Sequence, residues 1–287
     1  WTVARLCCSS RSRWWPGHER EQSAPIEWRV KCELVILEWA AYADGLVTRA
    51  EWLAWACGPA RLPAERVQQV PALSDMPAMM RRRVDRLGRL ACQVAYWCQQ
   101  AAGDAPLVFA SRYGDAHRSL QLLGDLVQQQ PLSPTGFALS VHNAVAALYS
   151  IARGDTRNAV VVAGGRATAT AALVEAAALI ADGEPEVLVV CYEAPLPEHY
   201  AHFQDEQVCE FAWAWRAPGA HRGGEGIAVQ VQLGEDAVEA APSPLTGGPE
   251  GLAVLRQVLQ QMGDAGSDEV LVRHDRPGVC AHWRAHA

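Results

Sequence analysis

The chain has 287 residues, half of them hydrophobic, enough for one substantial core or two small ones. A formal charge of −7 and a pI near 5.7 disfavour nucleic acid or an anionic membrane as partner, and no apolar run reaches the roughly 18–20 residues of a membrane span. The nine cysteines include no CxxC pair, which excludes a zinc knuckle or thioredoxin-type motif and reads as free thiols in a reducing, cytoplasmic setting.

Residues 1–29 are rich in Arg, Ser and Trp without a clear period. They read as a disordered extension or a start site placed too far upstream, so folding is expected from about Lys31 and residues 31–287 as one domain. Residues 33–42 are short, apolar and β-branched, the pattern of a strand. Asp44 and Gly45 signal a turn, and Thr48 with Glu51 has capping-box spacing before a short helix that Gly58-Pro59 ends. Three prolines over 59–75 mark a loop. Residues 76–102 then carry apolar positions at 3–4 spacing, which predicts one long helix. Its Arg81–Arg83 run reads as a solvated face, with carrier-protein docking as the sharper alternative.

Residues 107–110 predict a buried strand, and 117–129 a helix that Pro131 and Pro134 stop. Residues 138–153 are apolar almost all round, the pattern of a buried helix, ended by Gly154-Asp155. A strand over 159–163, a helix over 168–181 and a strand over 186–191 follow, both strands too apolar to alternate. That order predicts an α/β fold with a mixed sheet covered by helices on both faces. Strands are expected at 211–216, 227–233, 269–274 and 278–283, with a helix over 251–262. No repeat or linker divides the chain.

The stretch from Ser140-Val141-His142-Asn143 through Gly154-Asp155 to Ala163-Gly164-Gly165 resembles the β-ketoacyl synthases of the thiolase fold. In that family a buried helix begins at a nucleophilic Cys, contains a comparable Val-His-Asn run, and leads through Gly-Asp into a strand closing with Ala-Gly-Gly. The resemblance extends through Glu51–Ala56, Phe109–Arg112 with Gly114, Ser133–Phe137, and Val187–Val190 with Tyr192–Pro197. It covers about residues 34–203, and Gly224-Glu225-Gly226 carries it more weakly to about 234. A shorter, Cys-less subgroup is the most similar: ketosynthase-like N-terminal domains or chain-length factors, often of aryl-polyene type.

Counting back from Val141-His142-Asn143, the family's Cys falls on Phe137, which has no nucleophilic atom. A thiolate at a helix N-terminus is what makes such a Cys reactive. Neither of the family's C-terminal histidine motifs is found, so no catalytic residue, metal or cofactor is expected. The resemblance implies a reduced, thiolase-like ketosynthase core. It also implies a non-catalytic subunit that forms a heterodimer with a catalytic β-ketoacyl synthase, meets the acyl carrier protein only indirectly, and shapes the acyl-chain tunnel. Candidate tunnel or interface residues are Ser111, Arg112, Pro134, Thr135, Phe137, Ser140, His142 and Asn143. A thiolase-fold acyltransferase using Ser140 or His142, and a scaffold for carrier protein and synthase, are the alternatives. His142 also reads as a satisfied core histidine, and Asn143 as a buried hydrogen-bonder.

Overall fold

The computed structural model describes residues 30–58, 62, 70–99, 105–206, 209–218, 226–235, 248–262, 270–273 and 279–286. The expectations for residues 1–29 and for most of the 59–75 loop lie outside the described residues.

The single strand expected over 33–42 is two, β1 (Val30–Ile36) and β2 (Glu38–Ala43), which join different sheets. A continuous apolar run hides the step between them at Leu37, whose amide still donates to the Arg216 carbonyl (3.1 Å). Helix α1 (Arg49–Cys57) opens with the expected capping box of Thr48 and Glu51. The long helix expected over 76–102 is broken into α2 (Ala78–Arg81) and α3 (Arg86–Cys98). Asp85 decides the break: its backbone is extended and its carboxylate accepts from the Gly88 amide (2.8 Å), which caps α3.

Strand β3 (Leu107–Ala110) and helix α4 (Ala116–Val127) stand close to where expected. The helix expected over 138–153 is instead α5 (Pro134–Ala138) and α6 (Ala144–Arg153). Ser133 caps α5 with Pro134 in its first turn. The Ser140 hydroxyl donates to the Phe137 carbonyl (2.8 Å), and this local bond competes with continued helix. Strand β4 (Ala159–Val162), helix α7 (Thr168–Ala181), strands β5 (Glu186–Glu193), β6 (Phe211–Pro218) and β7 (Ile227–Glu235), helix α8 (Glu250–Met262), and strands β8 (Val270–Arg273) and β9 (Val279–His286) complete the order.

The strands form a five-stranded mixed sheet, ordered β2-β6-β5-β3-β4, and a four-stranded sheet, ordered β1-β7-β9-β8. In the first, β3 pairs in parallel with β4 and β5, while β6 runs antiparallel to β5 and β2. On one face, Tyr42, Phe109, Val190, Tyr192 and Ala214 pack on α3 and α6 through Leu90, Val94 and Tyr149. On the other, Val108, Val189, Trp213 and Trp215 pack on α7, α8 and α1, and beyond them on Leu34, Ile36, Val229 and Val231 of the four-stranded sheet. Helices α7 and α8 therefore lie between the two sheets. Strand β4 is an edge strand and is half-exposed, not buried as expected.

Candidate functional site

The residues singled out from the sequence fall into two neighbouring groups. Ser111 and Arg112 follow β3 at the parallel centre of the sheet, the end at which α/β sheets place their sites. Pro134, Thr135 and Phe137 lie on α5, and Ser140, His142 and Asn143 on the turn into α6. One contact joins the groups: His142 Nε2 lies 2.7 Å from the Ser111 carbonyl, so that nitrogen carries the proton and donates. Ser111 is buried, and its hydroxyl accepts from the Gly114 amide (2.9 Å). His142 is thus a half-buried latch between β3 and α6, in line with its reading as a satisfied histidine. Asn143 is exposed rather than buried. The Ser140 hydroxyl is committed to the Phe137 carbonyl, and no base faces it in the described hydrogen bonds.

Beside His142 a crevice is lined by Asp85, Asp115, Arg118, Val141, Val145 and Tyr192. Its volume of about 10 Å³ is room for one water at most, far short of an alkyl chain. Asp85 is pushed up to about 6 there by burial and then by the neighbouring Asp115.

Phe137 does not stand at the start of a buried central helix. It is 63% exposed on a five-residue helix, and α6 buries only the side carrying Ala144, Ala146, Leu148 and Tyr149. The helices lying between the sheets are α7 and α8. Helix α6 is apolar in composition like α7, but apolarity cannot tell a helix covered by protein from one awaiting cover.

The turn into α7 follows β4 and runs Ala163-Gly164-Gly165-Arg166-Ala167. Both glycines are required. A Cβ on Gly164 would lie 2.9 Å from the Ala167 carbonyl oxygen, and Gly165 sits at φ +60°. No nucleophile stands in this turn. Arg166 points outward, its Nε 2.9 Å from Asp205 Oδ2. Arg112 meets the same carboxylate with two nitrogens, at 2.7 and 3.2 Å. Asp205 therefore ties the end of β3 to the start of α7, and these guanidinium bonds hold its carboxyl down at about 2.

Two buried carboxyls were not found from sequence. Glu193, at the end of β5, accepts from the Arg112 amide (2.5 Å), and burial pushes it up to about 8. Glu250, in the first turn of α8, accepts from the Ala169 amide (2.9 Å), the Thr170 amide (3.3 Å) and the Thr170 hydroxyl. Burial pushes it, too, up to about 8 against the pull of these donors. A Glu closing an apolar strand, and a Glu directly after Gly248-Pro249, were the available signals.

The buried thiols are inert. Burial raises Cys92 and Cys191, and pushes Cys98 up to about 12. Glu193 and Glu250 raise Cys191 further. Among the described residues no cluster of His, Cys, Asp or Glu could hold a metal ion, and no helix is long and apolar enough to cross a membrane.

Opposite α7, the outer side carries uncovered apolar side chains: Leu123, Leu126 and Val127 of α4, Phe137 of α5, Val141 in the turn, and Ile151 of α6, with edge strand β4 alongside. Helix α4 has no buried residue at all.

Residues 52–276 match the family described as beta-ketoacyl synthase, N-terminal domain. Among solved structures, the chain is similar to one from the ketosynthase ApeO in complex with its chain length factor ApeC from Xenorhabdus doucetiae. Identity is 27% over 87% of this chain and 98% of that one, with a TM-score of 0.71. It is also similar to a chain of the ishigamide ketosynthase/chain length factor, at 16% identity over 89% of this chain and 99% of that one, TM-score 0.68. A third likeness is to a chain of AntDE:AntF, a type II PKS acyl-carrier protein in complex with its ketosynthase bound to the hexaketide. Identity there is 10% over 89% of this chain and 100% of that one, TM-score 0.65. The latter two show the shared fold alone, which is the thiolase-like α/β fold that the sequence resemblance implied. No curated protein matches the chain significantly.

Proposed function

The chain belongs to the β-ketoacyl synthase family through its N-terminal-domain match, and we propose that it serves there as a non-catalytic partner of the chain-length-factor kind. The observation that carries this reading is the turn into α7. A strand, a tight turn and a helix buried between two sheets form the setting in which a helix end activates a nucleophile. Gly164, Gly165 and Arg166 occupy that turn, and none can accept an acyl group. On this reading the position equivalent to the condensing Cys lies in this turn rather than at Phe137.

The partner is a Cys-bearing ketosynthase, and the pathway is polyketide or fatty-acid-like, of aryl-polyene type, in the cytoplasm. The likeness to a chain from a ketosynthase/chain length factor complex supports the pairing. So does the uncovered apolar face of α4, α5 and α6, because large apolar patches on a water-exposed chain mark interfaces. The crevice beside His142 is too small to hold an acyl chain, so the measuring tunnel is formed jointly with the partner. Pro134, Thr135, Phe137, Ser140 and Asn143 face it at the interface, while Ser111, Arg112 and His142 hold that wall in place. Chain length is then set by the volume the side chains leave open, and the carrier protein docks chiefly on the synthase.

Co-expression with ketosynthases of the same genome, read by size-exclusion chromatography and native mass spectrometry, tests the pairing. A one-to-one complex is expected, and a chain that ignores every synthase would overturn it. Within a complex, Phe137→Gly should change product length, whereas a scaffold would change only product amount.

A further inference from the structure

The buried helix between the sheets has no cap of its own. Ala167 occupies the N-cap position of α7 and has no side-chain acceptor. The amides two and three residues on, Ala169 and Thr170, are the ones an N-cap side chain ordinarily takes up. Both donate instead to Glu250, one to each carboxylate oxygen, at 2.9 and 3.3 Å. The Thr170 hydroxyl adds a third bond to the second oxygen.

Glu250 sits in the first turn of α8, so its carboxylate lies at the positive ends of two helices at once. Its backbone is pinned in turn. The Gly251 carbonyl accepts from Trp213 Nε1 (2.9 Å), and a Cβ on Gly251 would lie 3.0 Å from the Phe211 ring and 3.1 Å from Cys191 Sγ. The carboxylate is thereby delivered to α7 from a fixed point on a different helix.

We propose that the Glu250 carboxyl caps α7 from α8 and fills the acceptor position at the end of the buried helix. That end is then closed to a thiolate or to any carboxylate or phosphate ligand. The functional meaning rests on the reading of the α7 turn as the disarmed synthase position, whereas the capping itself does not. The chain is on this account silenced twice: no nucleophile stands in the turn, and the helix-end amides that would stabilise one are already taken up. Two of the three donors are backbone amides, which can only donate, so both carboxyl oxygens serve as acceptors. Burial raises the group to about 8 and outweighs the Thr170 and Ala169 donors that lower it.

The test is anion rescue in the full chain. Glu250→Ala removes the carboxyl and leaves a carboxyl-sized space facing the Ala169 amide and the Thr170 amide and hydroxyl. Its Tm should fall by roughly 5–10 °C, and sodium formate should recover at least half of the loss where sodium chloride at equal ionic strength does not. Equal responses to the two salts, or a variant as stable as the parent, would overturn the proposal. If Glu250→Ala does not fold, Glu250→Gln decides, since it keeps the volume and one acceptor. Hydrogen exchange of the Ala169 and Thr170 amides should then accelerate about tenfold relative to the middle of α7, and unchanged exchange would equally overturn it. Neither readout involves a ketosynthase, so failure of the pairing and failure of the cap are separately visible.

Discussion

Truncating Phe137 and Ile151 to alanine separates a docking face from a folding core. The two side chains are 63% and 65% exposed, on α5 and on the outer side of α6. Fully burying a Phe or Ile side chain contributes about 1.5–3 kcal/mol. Covering the open two thirds therefore gives each residue about 1–2 kcal/mol in a complex, and removing it costs the free chain little. Each truncation should raise the Kd for the synthase about 5–30-fold, and the double variant at least about 25-fold. The Tm of the free chain should move by no more than about 2 °C for either. Tyr149→Ala, on the buried side of the same helix, should instead cost about 3–5 kcal/mol of stability. Biolayer interferometry with the purified synthase and thermal melts of each variant supply both readouts. A folded double variant that binds within twofold of the parent would refute the docking face. A loss of stability as large as that of Tyr149→Ala would refute the claim that these side chains stand uncovered.

Two further outcomes follow from groups near the same wall. Asp85 is held up at about 6, above an unfolded value of about 3.9, so its contribution to stability is complete below about pH 4 and is lost as pH rises through 6. Asp85→Asn keeps an acceptor for the Gly88 amide and should be more stable than the parent at pH 8, by about 2 kcal/mol. The gap should close towards pH 4.5, and melts across that range that show a constant gap would contradict the assignment. Gly164→Ala drives a methyl to 2.9 Å from backbone and should destabilise by about 2 kcal/mol or more. At Gly154 the same change meets open space but a φ of +64°, and should cost about 1 kcal/mol. Urea melts of the pair check the order, and equal losses would show that the turn into α7 is not tightly packed.

Much of the element order is legible in the sequence because the signals are local. The capping box of Thr48 and Glu51, the apolar run of β5, and the bounds of α7 between Gly164-Gly165 and Asp182-Gly183 all appear as expected. The misreadings share one cause. Residues 33–42, 76–102 and 138–153 each read as one continuous element and each conceals a break: at Leu37 the chain passes from one sheet to the other, the Asp85 carboxylate caps a new helix at Gly88, and the Ser140 hydroxyl turns back to Phe137. Composition averages over such bonds.

By itself the sequence determined the α/β class, the absence of a Cys in any turn resembling a condensing site, and the family resemblance, since these depend on residue type and order. Only the tertiary structure decided which helix lies between the sheets. Helices α6 and α7 are both apolar, but α7 is covered on both sides by protein, whereas α6 leaves Ile151 uncovered. It also decided that Glu250, 80 residues beyond Thr170 in the chain, meets α7 at its N-terminus. Contact at that separation comes from the stacking of two sheets around two helices, and no periodicity along the chain encodes it.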